Sequence, residues 1–183
     1  MTELPEILWL DSVDSTNNEV RRRLDALDNL SVIAAKSQTA GRGQGDHIWT
    51  SAPGENLTCT VLLRHSSLHG LKAAQAGLLN KVIGETMKDF LSGYGIEAWV
   101  KPPNDIWVAD RKICGLLIEN ILRGKEVDVT ILGIGLNVNQ TEFPDFLPNP
   151  VSMAQLTGRR YDVDFILKRL REALVSHLQD LRP

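Results

Sequence analysis

A chain of 183 residues is long enough for one well-buried core and too short for two comfortable domains, so a single domain over 1–183 is expected. Its 43% hydrophobic and 23% charged residues are ordinary for a globular protein. The net charge of −3 opposes general nucleic-acid binding, which calls for a basic excess or stripe. No apolar run approaches the ~18 residues of a membrane span, and the acidic N-terminus lacks the plan of a secretory signal.

Ile7–Leu10 is a short apolar run. The polar cluster Asp14-Ser15-Thr16-Asn17 follows and precedes Val20, Leu24 and Leu27, spaced as one helix face. Ser15, Thr16 or Asn17 would cap that helix, the stronger local reading; the other is that they hydrogen-bond a ligand at a strand end. Ser31–Ala35 reads as a strand and delivers Lys36 and Gln38 to a loop holding Gly41, Gly43 and Gly45, with Arg42 among them and Trp49 closing the segment. A run this long between strands is more often functional than a connector. Glycines let backbone amides approach an anion, Arg42 adds fixed charge, and Trp49 can wall off an apolar ligand; a plain surface loop is the competing reading.

Leu57–Leu63 alternates as a half-buried strand. From Leu71 to Leu91 the apolar residues follow helical spacing, a core-facing helix ended by Ser92-Gly93. Glu97–Val100 is a short strand leading into Lys101-Pro102-Pro103-Asn104-Asp105. The prolines there exclude helix and central-strand pairing, so the polar residues sit at an irregular strand end. After a turn at Ala109–Arg111, Lys112–Glu119 returns as a strand with Gly115 inside it. Val127–Val138 is a nearly continuous apolar strand interrupted by Gly133 and Gly135, with Asn137 beside them; such glycines mark either close sheet packing or a ligand slot. Val151–Leu156 forms a short helix ended by Gly158, and Asp162–Leu181 a closing helix. Antiparallel strands in sequence pairs with inserted helices make an α+β domain.

Cys59 and Cys114 lie in apolar strands, as buried free thiols in a reducing cytoplasm would. The four histidines are scattered, without metal-ligand spacing, so dedicated protein ligands for a metal are not expected.

Asp14-Ser15-Thr16-Asn17, Gln38-Thr39-Ala40-Gly41-Arg42-Gly43 with Trp49 downstream, Lys101-Pro102-Pro103-Asn104-Asp105 followed by Lys112 and Gly115, and Gly133-Ile134-Gly135-Leu136-Asn137 together resemble the catalytic domain of biotin protein ligases. The resemblance implies a mixed, largely antiparallel sheet flanked by helices, like class II aminoacyl-tRNA synthetases. It implies activation of biotin as biotinyl-5′-AMP by MgATP, then transfer to a lysine of a biotin carboxyl carrier domain. Lys112 and Arg42 would hold the reacting anions, with Lys101 adding positive potential and Asp105 orienting the incoming amine. Ser15, Thr16, Asn17, Gln38, Gly41, Gly43, Trp49, Gly115 and Gly135 would bind biotin; Arg42, Gln44, Trp49, Asn104, Lys112 and Asn137 would contact the nucleotide. A lipoate–protein ligase or octanoyl transferase, and a non-catalytic biotin-binding domain, are the alternatives.

Two departures stand out. Gln44 replaces a second arginine, which would weaken adenylate retention, and Pro102 replaces the usual tryptophan. The cysteine usage points to a cytoplasmic enzyme, the apolar runs are too short to span a membrane, and the acidic balance with no helix-turn-helix pattern before Ile7 opposes nucleic-acid binding. The resemblance leaves a homodimer possible, and includes neither the winged-helix nor the SH3-like domain of larger members.

Overall fold

A computed structural model describes residues 4–65 and 71–179. Its strands are β1 (Ile7–Val13), β2 (Val32–Gln38), β3 (Leu57–Arg64), β4 (Leu71–Lys72), β5 (Trp99–Lys101), β6 (Asp105–Val108), β7 (Arg111–Arg123) and β8 (Glu126–Leu136). Helices α1 (Thr16–Arg22), α2 (Ala76–Ser92), α3 (Met153–Thr157) and α4 (Val163–Gln179) complete it. The sheet runs β1-β2-β3-β8-β7-β6-β5, with β4 beside β8. Among the described strands β1 and β2 pair in parallel and the remaining strand pairings are antiparallel. The expected mixed sheet with inserted helices is what forms.

Strand alternation divides the sheet into two faces. Leu132, Ile134 and Leu136 of β8 join Val32, Ala34, Cys59 and Val61 in the main core, beneath Leu79, Ile83 and Met87 of α2 and Leu170 and Leu174 of α4. Val129, Ile131, Ile33 and Leu62 face the other way, against Val20 of α1. Gly133 and Gly135 share this second face. The helices α2 and α4 therefore cover one side, and α1 covers only part of the other.

Several boundaries move, each through a contact remote in sequence. The helix expected from Leu71 begins at Ala76, because Leu71 and Lys72 pair with Val127 and Glu126 and the Ala73 amide donates to the Lys125 carbonyl. β1 and β2 run past their apolar stretches because parallel pairing continues through Ser12–Ser37 and Val13–Gln38. β8 ends at Leu136, where Asn137 turns away to bond the chain before α3. Ser152 and Gln155 form a capping box at α3, which ends on the left-handed Gly158. Asp162 caps α4 by accepting from the Asp164 and Phe165 amides. Leu181, expected in that helix, lies outside the described residues. Among the described residues no helix is long and apolar enough to cross a membrane.

Candidate active site

Parallel pairing brings the ends of β1 and β2 side by side, so whatever follows each strand meets on the exposed sheet face. The residues after β1 are Ser15, Thr16 and Asn17, all buried. Ser15 occupies the cap position of α1 but makes no side-chain cap bond. The Thr16 amide and hydroxyl donate to Gln38 Oε1 at 2.8 and 3.2 Å. Thr60 Oγ1 lies 2.8 Å from Thr16 Oγ1 and 2.6 Å from Asn17 Oδ1. Asn17 Nδ2 donates to Glu119 at 2.9 Å. The capping reading is therefore corrected: Ser15 holds the cap position without a side-chain cap bond, and the Thr16 and Asn17 side chains reach β2, β3 and β7, because burial demands partners for them. Asn17 also explains Gly133, where a β-carbon would stand 2.3 Å from Asn17 Oδ1.

After β2 the chain forms a narrow antiparallel ribbon. Its base is tied to β1 through the Thr39 and Ala40 amides, which donate to Val13 and Asp14 carbonyls at 2.9 Å. Trp49 N donates to Gly41 O at 3.0 Å, Gly43 N to His47 O at 2.7 Å, and Arg42 bridges Ile48. Gly45 makes the tip with positive φ. A β-carbon on Gly41 would lie 2.3 Å from the Trp49 carbonyl oxygen. Gly41 is thus required by close approach of the loop to itself, and the Gly43 amide is engaged within the loop rather than presented to an anion. The ribbon lays the Trp49 indole on the sheet, where a β-carbon at Gly135 would be 2.3 Å from its ring and one at Gly115 3.3 Å. The slot over these glycines holds the protein's own indole.

Arg42 reaches sideways. Its guanidinium donates to Glu119 at 2.9 and 3.2 Å and to Asn18 at 3.0 Å, and Arg21 adds a second cation 3.4 Å from Glu119. Burial alone would raise the Glu119 pKa, but the hydrogen bonds from Arg42 and Asn17 and the two positive charges outweigh it, leaving the carboxyl below its usual range.

The third contribution comes from the β6–β7 hairpin. A register shift between Ile106 and Trp107 accompanies an ion pair of Lys112 Nζ with Asp105 Oδ1 at 2.8 Å. The same ammonium lies 5.9 Å from the Trp49 ring centre. Asn137, buried, donates to the Val151 carbonyl at 3.0 Å and to that of Lys112 at 3.4 Å, fixing the strand that carries the lysine.

These pieces enclose a cavity of about 330 Å³, lined by Ser15, Thr16, Asn17, Gln38, Arg42, Gly43, Gln44, Trp49, Asp105, Lys112, Gly115 and Gly135, with His47, Trp107, Leu117 and Pro148 among the further lining residues. Lys112 and the Arg42 loop therefore face one chamber. Gly41, Lys101, Asn104 and Asn137 do not line it. Lys101 sits 3.7 Å over the Trp107 ring, itself a cavity wall. Asn104 Nδ2 donates to Leu116 O at 2.8 Å and Asn104 O accepts from Leu116 N, clasping β7.

Glu119, Thr60 and Trp107 were not singled out from sequence. Glu119 lies four residues beyond Gly115 on one strand and so on its face, a signal available to alternation. Cys59 also borders the chamber, but its side chain packs in the main core on the opposite sheet face, where burial pushes the thiol up to about 12. Among the described residues no group of three or more His, Cys, Asp or Glu side chains is placed to hold a metal ion.

Over 161 residues the chain is 33% identical to the bifunctional ligase/repressor BirA of Bacillus spizizenii, covering 85% of this chain and 48% of that protein. It therefore spans about half of that relative's length. Identity to the biotin–[acetyl-CoA-carboxylase] ligase of Paracoccus denitrificans is 29% over 169 residues, covering 90% and 69%. Among solved structures, the biotin protein ligase from Aquifex aeolicus in complex with biotin and ATP aligns with a TM-score of 0.82 at 26% identity, over 98% of this chain and 72% of that one. The mixed sheet and its flanking helices are thus the class II synthetase-like fold of the biotin protein ligases. Residues 9–137, from β1 to just past β8, match the biotin/lipoate A/B protein ligase family, and the chain belongs to it.

Proposed function

We propose that this protein activates biotin with MgATP and transfers it to a lysine of a biotin carboxyl carrier domain. In the first step a biotin carboxylate oxygen bonds to the α-phosphorus while the α–β bridging bond breaks, releasing pyrophosphate. In the second, the neutral lysine amine attacks the acyl carbon, AMP leaves, and the amine's extra proton is lost.

The observation that carries this reading is a single chamber lined by Lys112, Ser15, Gln38 and the Arg42 loop. Two unit charges 4 Å apart repel by about 4 kcal/mol at an effective dielectric of ~20, so joining two anions needs a fixed cation between them. Lys112 is assigned that task. Its partner Asp105, at 2.8 Å, is the carboxylate beside the reacting charges, and it is assigned the orienting of the carrier amine. The Ser15 hydroxyl, without a cap bond, and Gln38 suit the polar ring of biotin, and Trp49 suits its apolar body. The Trp49 ribbon excludes water from an easily hydrolysed mixed anhydride. Asn104 and Asn137 support the site through β7 and the α3 approach rather than by lining it, and Lys101 through Trp107.

The Paracoccus biotin–[acetyl-CoA-carboxylase] ligase and the Aquifex structure with biotin and ATP support biotin as the substrate. Because the matched family also covers lipoate ligases, lipoate is the competing substrate. Biotin-dependent ATP–pyrophosphate exchange, followed by labelling of a carrier domain, is the test. Exchange with biotin and none with lipoate is expected; exchange with lipoate alone overturns the reading.

A further inference from the structure

The loop cation and the carboxylate of Glu119 invite a different division of labour from the one the motif suggests. Glu119 stands near the exposed end of β7, with its side chain 20% exposed. It receives hydrogen bonds from two separate elements, Arg42 of the loop and Asn17 of α1, and an ion pair from Arg21. Asn17 in turn contacts Thr60 on β3 and packs over Gly133 on β8. Glu119 is thus where the loop, the first helix and the sheet are tied together. Arg42 Nη1 is shared between Glu119 and Asn18, and Nη2 bonds Glu119.

We infer that Glu119 is a positioning residue and that the Arg42–Glu119 pair is a latch. It holds the glycine ribbon against the sheet, so that Trp49 stays on Gly115 and Gly135 and closes the chamber. Arg42 then acts by holding the lid, and the charge directed at the reacting anions comes chiefly from Lys112. The geometry favours this division because the ribbon's backbone bonds are internal or at its base. Beyond them, the loop tip is held through the Arg42 guanidinium and the packing of Trp49. An ion pair with two parallel N–H donors fixes direction as well as distance, which a single backbone contact does not. The inference rests on the ligase reading only for what the lid encloses; the latch itself is argued from contacts between the protein's own side chains.

The test separates the two. Amide hydrogen exchange across residues 39–50 is measured by mass spectrometry on the full chain without ligand, for wild type, Glu119→Gln, Arg42→Lys and the swapped pair Arg42→Glu/Glu119→Arg. Glu119→Gln keeps the size of the side chain and removes its charge, and melting temperature controls for folding. Exchange in this segment should quicken by about tenfold in Glu119→Gln, the effect of losing a charged hydrogen-bond partner. It should return toward wild type in the swapped pair. Unchanged loop exchange in Glu119→Gln overturns the latch whether or not the protein is a ligase.

In parallel, release of free biotinyl-AMP is followed in Arg42→Ala, Glu119→Ala and their combination. A latch requires each single change to raise release several-fold and the combination to add little. Fully additive effects would mean that Arg42 acts on the adenylate independently of Glu119. Absence of pyrophosphate exchange in wild type would sink the ligase reading and leave the hydrogen-exchange result standing.

Discussion

The Trp49 indole rests on Gly135 so closely that a β-carbon there would stand 2.3 Å from ring carbon Cε2. One missing methyl group therefore sets how far the glycine ribbon descends onto the sheet. Gly135→Ala should lift Trp49, open the chamber and weaken biotin binding by about 10- to 100-fold, the range for a displaced buried contact of ~1–3 kcal/mol. Titration calorimetry reads the affinity. Unaltered binding in a folded Gly135→Ala protein would show that the ring's descent is not needed for the site. Gly133→Ala supplies a comparison, because there the displaced group is Asn17 and the Glu119 tie should loosen as well.

The pairing of Lys112 with Asp105 at 2.8 Å gives a second prediction. Lys112→Ala removes the cation where two anions must meet, and pyrophosphate exchange should fall at least about 100-fold. Asp105→Asn should leave exchange within about tenfold of wild type and slow transfer to the carrier more strongly, because it removes a carboxylate and leaves the cation. Single-turnover measurements of each half-reaction distinguish these effects. Equal loss in both half-reactions for Asp105→Asn would show that it serves Lys112 alone.

Alternation and helical spacing carry much of this architecture in the sequence itself. The buried face of α2 (Leu79, Ile83, Met87, Phe90 and Leu91) is written in its i, i+4 pattern, because packing onto a core imposes that spacing on any sequence. Partners remote in sequence were not legible. Nothing in Ile7–Leu10 says that it pairs in parallel with Val32–Ala35, yet that pairing sets Thr16 beside Gln38. The glycines of β8 could be read as points of close approach, but not that Asn17 fills one and Trp49 the other. Arg42 was legible as a functional cation, and its partner was not, since an ion pair between residues 42 and 119 leaves no local trace.

Asn137 shows how a motif residue can act without touching a ligand. Its amide holds the Val151 carbonyl at 3.0 Å, with a longer contact to the Lys112 carbonyl, inside a buried junction. Asn137→Ala leaves the Val151 carbonyl without its donor, a cost of about 1–3 kcal/mol, while the Lys112 carbonyl keeps the Val151 amide at 2.9 Å. Denaturant unfolding should register that loss. The Michaelis constant for ATP should rise only as far as Lys112 is displaced. A large rise in that constant with unchanged stability would instead identify Asn137 as a direct nucleotide contact.

Acid should release the loop before it unfolds the core. The folded-state pKa of Glu119 lies below the ordinary glutamate value of 4.5, so the carboxylate form is favoured by folding. Its contribution to stability is complete above that ordinary value and is lost as pH falls through the lower, folded-state pKa. The groups facing it are the Arg42 and Arg21 guanidiniums and the Asn17 amide. Loop hydrogen exchange, corrected for the intrinsic pH dependence of amide exchange, should therefore rise on acidification below about pH 4.5, while residues 79–91 of α2 remain protected. Glu119→Gln has no such proton to bind, so its loop should exchange fast already at neutral pH and show no further corrected rise on acidification. A wild-type loop whose corrected exchange stays level down to the global acid transition would mean that the Glu119 charge does not hold it.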